Sequence, residues 1–363
     1  MRVLLVFSSS ELGGAERSLS RMAFVSQTVN YQLATLEGEG PWCDWVRSEG
    51  HEPLVLGRKS AGIRAMLTAL LHLILHVRRH PADVIYICGA RASLMLRLLR
   101  IFLPGTKLVN GIRWNPDSST RLDRFFRLME SLTHRLVDAW ITNSEVAKQT
   151  LVSRCEISSE HIFVIYNGLT SLPAVLTPLG NRSMYVLTVA NLNPRKGHRE
   201  YLRVIRQVLQ SVPDAKFVFV GRDDKNGEVQ QAIKEACLSE NVCFVGFQHD
   251  VSDWFRRARV MVLPSLWGEG CPTSILEGFS FGLPVVSYAI DGIPELIENG
   301  VDGVLVSSDR SNELASAIVR ILQNSAVAER MGMMGREKVA DRFTVARCAD
   351  EHARVFQKVI SIK

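Results

Sequence analysis

No two cysteines form a C-x-x-C pair. The seven (Cys43, Cys88, Cys155, Cys237, Cys243, Cys271, Cys348) are odd in number and scattered, which argues against a disulfide framework and a cysteine zinc site and points to a reducing compartment. Long apolar runs are missing too. The longest uncharged one, Ala65 to Val77, has 13 residues and carries His72 and His76, whereas a membrane-spanning helix needs about 20. The apolar start, Met1 to Phe7, stops at Ser8 and is followed by Glu11, Gly13 and Gly14 without a small-residue cleavage pattern. It reads as a first strand rather than a signal peptide. There is no H-x-x-H pair among the nine histidines, no P-loop and no complete G-x-G-x-x-G, which argues against metal chemistry and ATP hydrolysis.

Low-complexity sequence is also absent. Hydrophobic residues make up 47% and charged residues 22%, the balance of a globular chain. At 363 residues the length suits two domains, each with its own core. Charge is uneven: residues 1–170 hold 20 basic and 15 acidic side chains, and residues 171–363 hold 23 and 22. Within the first half, residues 58–135 hold 14 basic against 4 acidic. Leucine-rich runs interleave with them, as in Leu94–Leu103 with Arg97 and Arg100. Arginines beside large apolar residues, with few aromatics, favour an anionic membrane surface over nucleic acid as partner. The expected location is cytoplasmic, peripheral on the inner face of the membrane.

Short β-branched or apolar runs alternate with helical-period segments, the pattern of parallel sheets built from βαβ units. Strands are expected at Val3–Phe7, Tyr31–Leu36, Pro53–Leu56, Asp83–Ile87, Lys107–Asn110, Ala139–Thr142 and Phe163–Tyr166. They resume at Tyr185–Ala190, Lys216–Val220, Cys243–Val245, Val260–Leu263, Val285–Ser287 and Gly303–Val306. The fold class is therefore α/β: two Rossmann-like domains with a central cleft. The first spans 1–170, a proline-containing linker 171–182, the second 183–343, and a C-terminal helix over 344–363 can pack back on the first. Ligands of such sheets bind outside the carboxyl ends of the strands.

Residues 264–283, PSLWGEGCPTSILEGFSFGL, carry the densest chemical signal. After a strand ending in Leu263, a glycine-flanked loop holds Glu269, Pro272 takes the first helical position, and the helix carries Glu277. The free N–H groups of Thr273, Ser274 and Ile275, at the positive end of the helix dipole, would suit a diphosphate. The two carboxylates would then accept hydrogen bonds from the hydroxyls of a sugar and a ribose.

The two glutamates, eight positions apart in GEGCPTSILEGFSFGLPVV, resemble the E-x7-E motif of the GT-B retaining glycosyltransferases, the family numbered four. VANLNPRKGH (Val189–His198) resembles that family's phosphate-holding strand-to-helix loop, and DGIPELIENGVDGVLV (Asp291–Val306) the stretch that follows the motif. NSEVAKQTL (Asn143–Leu151) and VIYNGLT (Val164–Thr170) resemble the end of its first domain, and GGAER (Gly13–Arg17) its N-terminal glycine loop. The likeness covers most of the second domain closely and the first loosely. It implies transfer of a sugar from a nucleotide diphosphate sugar, such as a UDP-sugar, to a glycan or lipid-linked acceptor in surface polysaccharide, lipopolysaccharide or glycolipid synthesis. The donor is expected on the second domain and the acceptor on the basic first. The resemblance further implies no cofactor beyond the sugar nucleotide and no metal. It assigns Lys196 to the donor diphosphate, Glu277 to the ribose and Glu269 to the transferred sugar, with a front-face displacement in which the leaving phosphate helps deprotonate the acceptor.

The sequence departs from that pattern in two places. Where the family has an arginine this chain has Asn191, so Arg195, beside Lys196, is the expected second cation for the donor. The family's histidine after the fifth strand is missing from NGIRW (Asn110–Trp114), which leaves Arg113 as the candidate anion or acceptor contact. Gly13 and Gly14 allow close backbone approach, and Glu16 is either a ligand contact or a complement to its helix dipole. Two other readings stay open: a sugar-nucleotide-binding scaffold without turnover, and a sugar-nucleotide isomerase on the same plan. Asp223 and Asp224 are adjacent rather than spaced by one, and read as loop residues rather than metal ligands.

Overall fold

The computed structural model describes residues 1–58, 62–113 and 121–361, without the side chains of residues 121–123 and 126. They divide into two compact units, Met1–Thr170 with Val345–Lys363, and Ser171–Thr344.

The first unit alternates β1 (Arg2–Phe7), α1 (Gly14–Val25), β2 (Asn30–Thr35), α2 (Pro41–Ser48), β3 (Leu54–Val55), α3 (Ile63–Arg79), β4 (Val84–Cys88), α4 (Ala90–Leu98), β5 (Lys107–Ile112), α5 (Arg121–Thr133), β6 (Ala139–Thr142), α6 (Glu145–Cys155) and β7 (Ile162–Val164). Its strands form one parallel sheet in the order β3-β2-β1-β4-β5-β6-β7. Every residue of β4 and all but the first of β1 are buried, as strands with helices on both faces must be. One face packs Leu5, Phe7 and Tyr86 under α1 and α2. The other packs Leu4, Val6 and Ile85 under α3, α4 and α6.

The second unit contains β8 (Tyr185–Val189), α7 (His198–Ser211), β9 (Lys216–Val220), α8 (Glu228–Glu235), β10 (Val242–Phe244), α9 (Ser252–Arg257), β11 (Ala258–Leu263), α10 (Thr273–Ser280), β12 (Val285–Tyr288), β13 (Gly303–Val306), α11 (Ser311–Gln323) and α12 (Ser325–Arg342). Its parallel sheet runs β10-β9-β8-β11-β12-β13. The chain then returns to the first unit as α13 (Val345–Ser361), the packing expected of the C-terminal helix. Its apolar stripe, including Val345, Ala349, Phe356 and Val359, joins the core under α1, and the Phe356 ring meets Tyr86 edge-on at 5.5 Å.

All thirteen expected strands are present, with small shifts at their ends. β5 runs on to Ile112 because Gly111 and Ile112 pair with Ile141 and Thr142 of β6. In each sheet the order reverses beside the unit's first strand, between β1 and β4 and between β8 and β11. Such reversals leave a crevice at the carboxyl ends of the two strands.

The structure corrects the sequence reading of Arg97. Its guanidinium is buried and grips Glu130 with both arms, at 2.6 and 3.0 Å, with further bonds to Thr133 and Ser93. It ties α4 to α5 and does not face outward. Arg100 is also engaged, with Asp138 at 2.7 Å and the Leu136 carbonyl. A charge count along the chain registers both as basic surface, although partner carboxylates far off in sequence neutralise them.

Candidate functional site

In the second unit the reversal between β8 and β11 brings two loops together. The chain leaves β8, makes a tight turn at Pro194–Lys196 and enters α7 through Gly197. Gly197 has φ +69°, and a Cβ there would stand 2.2 Å from the Pro264 carbonyl oxygen. Only glycine allows both the left-handed turn and this approach. The turn is bonded to the loop after β11 by Leu266 N–H donating to the Arg195 carbonyl at 2.7 Å.

This seam places Lys196 and Glu269 in contact. The Lys196 ammonium is ion-paired with Oε1 of Glu269, which also accepts from the Ser265 hydroxyl. Glu269 is buried. Burial alone would raise its pKa, but the charge and hydrogen bond of Lys196, the Ser265 hydroxyl and the nearby Arg195 together hold it below the ordinary carboxylate value. It therefore stands ionised as an acceptor-only group. Arg195 lies alongside, its Nη1 directed at the Gly268 carbonyl at 3.4 Å. Two donors of the Lys196 ammonium remain after the bond to Glu269.

Two residues outside the sequence-derived set hold Glu269 in place. Ser265 supplies the hydroxyl, and Asp291, after β12, accepts the backbone N–H groups of Gly268 (2.6 Å) and Glu269 (3.0 Å) through one carboxylate oxygen. Gly292 N–H returns a bond to the Glu269 carbonyl at 3.3 Å. The Asp-Gly pair at 291–292 was the available signal, since such pairs mark tight turns. Nothing in its sequence position revealed what the carboxylate grips.

The helix start differs in detail from expectation. Pro272 is extended and precedes the first helical residue, Thr273. Ile275 donates its N–H to the Pro272 carbonyl at 3.1 Å, so it is not free for a ligand. Thr273 and Ser274 still present N–H groups ahead of the first intrahelical acceptor, at the positive end of α10. Glu277 is half-buried one turn further on. Asn191 turns its Oδ1 to the Arg222 N–H at 3.1 Å, bracing the neighbouring loop after β9. Asp223 accepts from Lys225 N–H, Gly227 N–H and Gln230, which makes it the brace of the turn before α8.

In the first unit the reversal lies between β1 and β4, where Gly89 (φ +130°) has no room for a Cβ against Ser8. Gly13 precedes α1 and Gly14 is its first residue. The Glu16 carboxylate folds back toward the helix start, since a Cβ on Gly13 would lie 2.6 Å from its Oε2. That geometry complements the helix terminus. Arg113, at the end of β5, donates through Nη2 to the Asn167 amide oxygen, which also accepts from Ser18. Its Nε and Nη1 are buried without a hydrogen-bond partner among the described residues. Among the described residues Arg113 is thus paired with a neutral amide rather than a carboxylate. Its neighbour Trp114 lies outside the described residues.

Comparisons with known proteins agree on both halves. Residues 12–170 match the family model described as Glycosyltransferase Family 4, and residues 183–324 that described as Glycosyl transferases group 1. The amylovoran biosynthesis glycosyltransferase AmsK of Erwinia amylovora is 31% identical over 170 residues, 45% of this chain and 42% of that protein. The chain thus spans less than half the length of that relative. The UDP-Gal:alpha-D-GlcNAc-diphosphoundecaprenol alpha-1,3-galactosyltransferase of Escherichia coli is 29% identical over 307 residues, 78% of each chain. Among solved structures, Anabaena HepE in complex with UDP-glucose superposes with a TM-score of 0.84 at 21% identity, covering 99% of this chain and all of that one. That likeness is one of fold.

Proposed function

Because the chain belongs to the group 1, family 4 glycosyltransferases, we propose that it transfers a sugar from a UDP-sugar to a glycan or lipid-linked acceptor in surface polysaccharide or glycolipid synthesis. The observation that carries this reading is the ionised, buried Glu269 held by Lys196 beside the open start of α10. Cationic donors and a carboxylate acceptor lie side by side there, as a diphosphate joined to a hydroxyl-rich sugar requires. The names of the relatives support the donor class: the Escherichia coli enzyme uses UDP-Gal, and HepE was solved with UDP-glucose.

In this reading Lys196, Arg195 and the N–H groups of Thr273 and Ser274 bind the diphosphate, Glu277 the ribose and Glu269 the sugar hydroxyls. Charge developing on the leaving phosphate is stabilised by fixed cations and a helix terminus, and no metal is required. The transfer retains the anomeric configuration, the leaving phosphate helping to take the acceptor's proton. Arg113 and the Gly13-Gly14 loop serve the acceptor, and the chain works at the cytoplasmic face of an anionic membrane.

A thermal-shift panel of nucleotide sugars identifies the donor, since a ligand that binds only the folded chain raises stability with its concentration over Kd. Turnover with and without a lipid-linked or glycan acceptor then decides the function. Transfer that needs the acceptor supports the proposal. Conversion without acceptor means an isomerase, and binding without either reaction means a scaffold.

A further inference from the structure

The outward faces of three neighbouring helices in the first unit carry apolar crests. On α3, Leu67, Leu71 and Leu75 repeat every fourth residue and are exposed, while Leu70, Leu73 and Ile74 take up the core side. At the end of α4 and in the turn after it, Leu98 is 67% and Ile101 82% exposed; on α5, Leu128 and Leu132 are 55% and 66% exposed.

The crests are joined. Arg78 of α3 donates to the Phe102 carbonyl and lies over the Phe102 ring at 5.8 Å, which links α3 to the turn after α4. Leu98, Ile101 and Leu136 line one groove, which links that turn to the segment after α5. Since α3 has 17 residues, the surface is about 25 Å long. An apolar surface of this extent on a folded chain marks an interaction site.

Among the described side chains its exposed charge is basic, and α5 also carries Asp123, whose side chain lies outside the described residues. Neither α3 nor α4 contains an Asp or Glu. Glu130 and Asp138, which follow on α5 and after it, are consumed by Arg97 and by Arg100 with Lys107. Arg64, Arg78, Arg79, Arg91 and Arg135 remain exposed around the crests.

We propose that this three-helix face docks onto an anionic lipid bilayer, with the leucine crests entering the headgroup layer and the arginines meeting lipid phosphates. Separate leucine ridges, spread over three convex helices and set among arginines, fit a deformable anionic layer, because they require no shape-matched partner. The docking elements are thus Leu71, Leu98, Ile101 and Leu132 with Arg79 and Arg135, and not Arg97. The biological sense of the inference rests on the lipid-linked acceptor proposed above, but its test does not.

The test is flotation of the full chain with phosphatidylglycerol-containing vesicles and with pure phosphatidylcholine vesicles. The expected result is binding to the first at low salt, at least ten-fold weaker binding to the second, and release from the first at high salt as the charges are screened. Ile101→Asp with Leu132→Asp should lower flotation at least ten-fold with an unchanged melting temperature. Arg79→Glu with Arg135→Glu, which leaves the crests intact, should do so for the anionic vesicles alone. No flotation of the parent chain, equal flotation with both lipids, or undiminished flotation of the Ile101→Asp, Leu132→Asp variant would overturn the proposal. So would loss of a dimer in that variant with flotation intact, which would make a second copy the occupant. Stabilisation by UDP, measured on the same samples, reports the donor reading separately, so each can fail without the other.

Discussion

Lys196 and Glu269 form an ion pair across the seam between the loops after β8 and β11, with side chains only 14% and 6% exposed. The two residues are 73 positions apart, and nothing local in either loop requires them to meet. The pair is neutral as a unit, so attraction for an anion at this seam falls to Arg195, the start of α10 and the unused donors of Lys196. Glu269, fixed by Ser265 and by the grip of Asp291 on its backbone, is ready to receive hydroxyl donors at once. In the proposed transfer, its reorganisation would be met by folding rather than at the moment of reaction.

The first prediction separates the two partners. Lys196→Ala should weaken UDP binding about ten- to hundred-fold, the loss of one charge-assisted hydrogen bond. It should also lower the melting temperature of the second unit, since it leaves a buried carboxylate without its cation. Glu269→Gln keeps the shape and the Ser265 contact. It should retain UDP affinity while kcat falls about ten- to hundred-fold. UDP titration and initial rates on both variants check this, and equal UDP affinity in Lys196→Ala and the parent contradicts the assignment.

A second prediction concerns Arg195. Its recorded bond, to the Gly268 carbonyl, is long at 3.4 Å, so the guanidinium is held loosely and is available to a phosphate. Arg195→Ala should damage turnover about as much as Lys196→Ala while leaving stability nearly unchanged, because no buried partner is orphaned. Asn191→Arg should restore part of the lost turnover. The recovery is expected to be incomplete, because Asn191 also supplies the acceptor for the Arg222 N–H. A silent Arg195→Ala would place that side chain outside the chemistry.

The architecture was legible in the sequence because parallel strands buried on both faces must be apolar throughout, and every such run, from Val3–Phe7 to Gly303–Val306, became a strand. The loop motifs pointed to Lys196, Arg195 and Glu269, and the structure brings these three together at the seam between the loops after β8 and β11. What stayed hidden depended on contacts between distant positions. Asp291 looks like any turn residue until its carboxylate is seen on the Glu269 N–H, and Arg97 looks like surface charge until Glu130 is found against it. The outward leucines of α3 were visible as letters, but the 3.6-residue period alone could not say which stripe faced the sheet. Ile275 was misjudged because a short i to i+3 bond at the helix start depends on the conformation of Pro272.

A third prediction follows from the proposal that Lys196 and Arg195 hold the donor diphosphate. Asp223 is committed to bracing the turn before α8 and Asp224 to Arg222. Transfer should therefore persist in excess EDTA at an undiminished rate. Loss of activity on chelation, restored by Mg2+ or Mn2+, would mean that the leaving phosphate is neutralised by a metal rather than by Lys196 and Arg195.

The last prediction is a pH dependence of stability carried by one histidine in each unit. Burial, and secondarily the Lys196 charge, push His198 down to about 4. Burial, then Arg113, push His352 down to about 3. Both are neutral in the folded chain where an unfolded histidine, near 6.5, takes a proton. The unfolded state binds more protons across that window, so stability rises with pH there. The contribution is complete above about 6.5 and is lost as the pH falls toward the folded values. Each histidine adds up to about 1.4 kcal/mol per pH unit. His198 packs edge-on against Phe219 at 5.1 Å, and neither ring nitrogen has a partner among the described residues, so His198→Phe removes the titration without removing a hydrogen bond. Because the two units need not unfold together, the measurement is amide-exchange protection of β8 and β9 peptides at pH 7 and pH 5. The lower limit stays above the range in which Glu269 takes up its proton. Protection in the parent should fall clearly more than in His198→Phe, while β1 and β4 peptides, which report His352, respond equally in both chains. An identical loss of protection in β8 and β9 with and without His198 would show that the ring is not held neutral, and that the acid sensitivity of the second unit lies elsewhere.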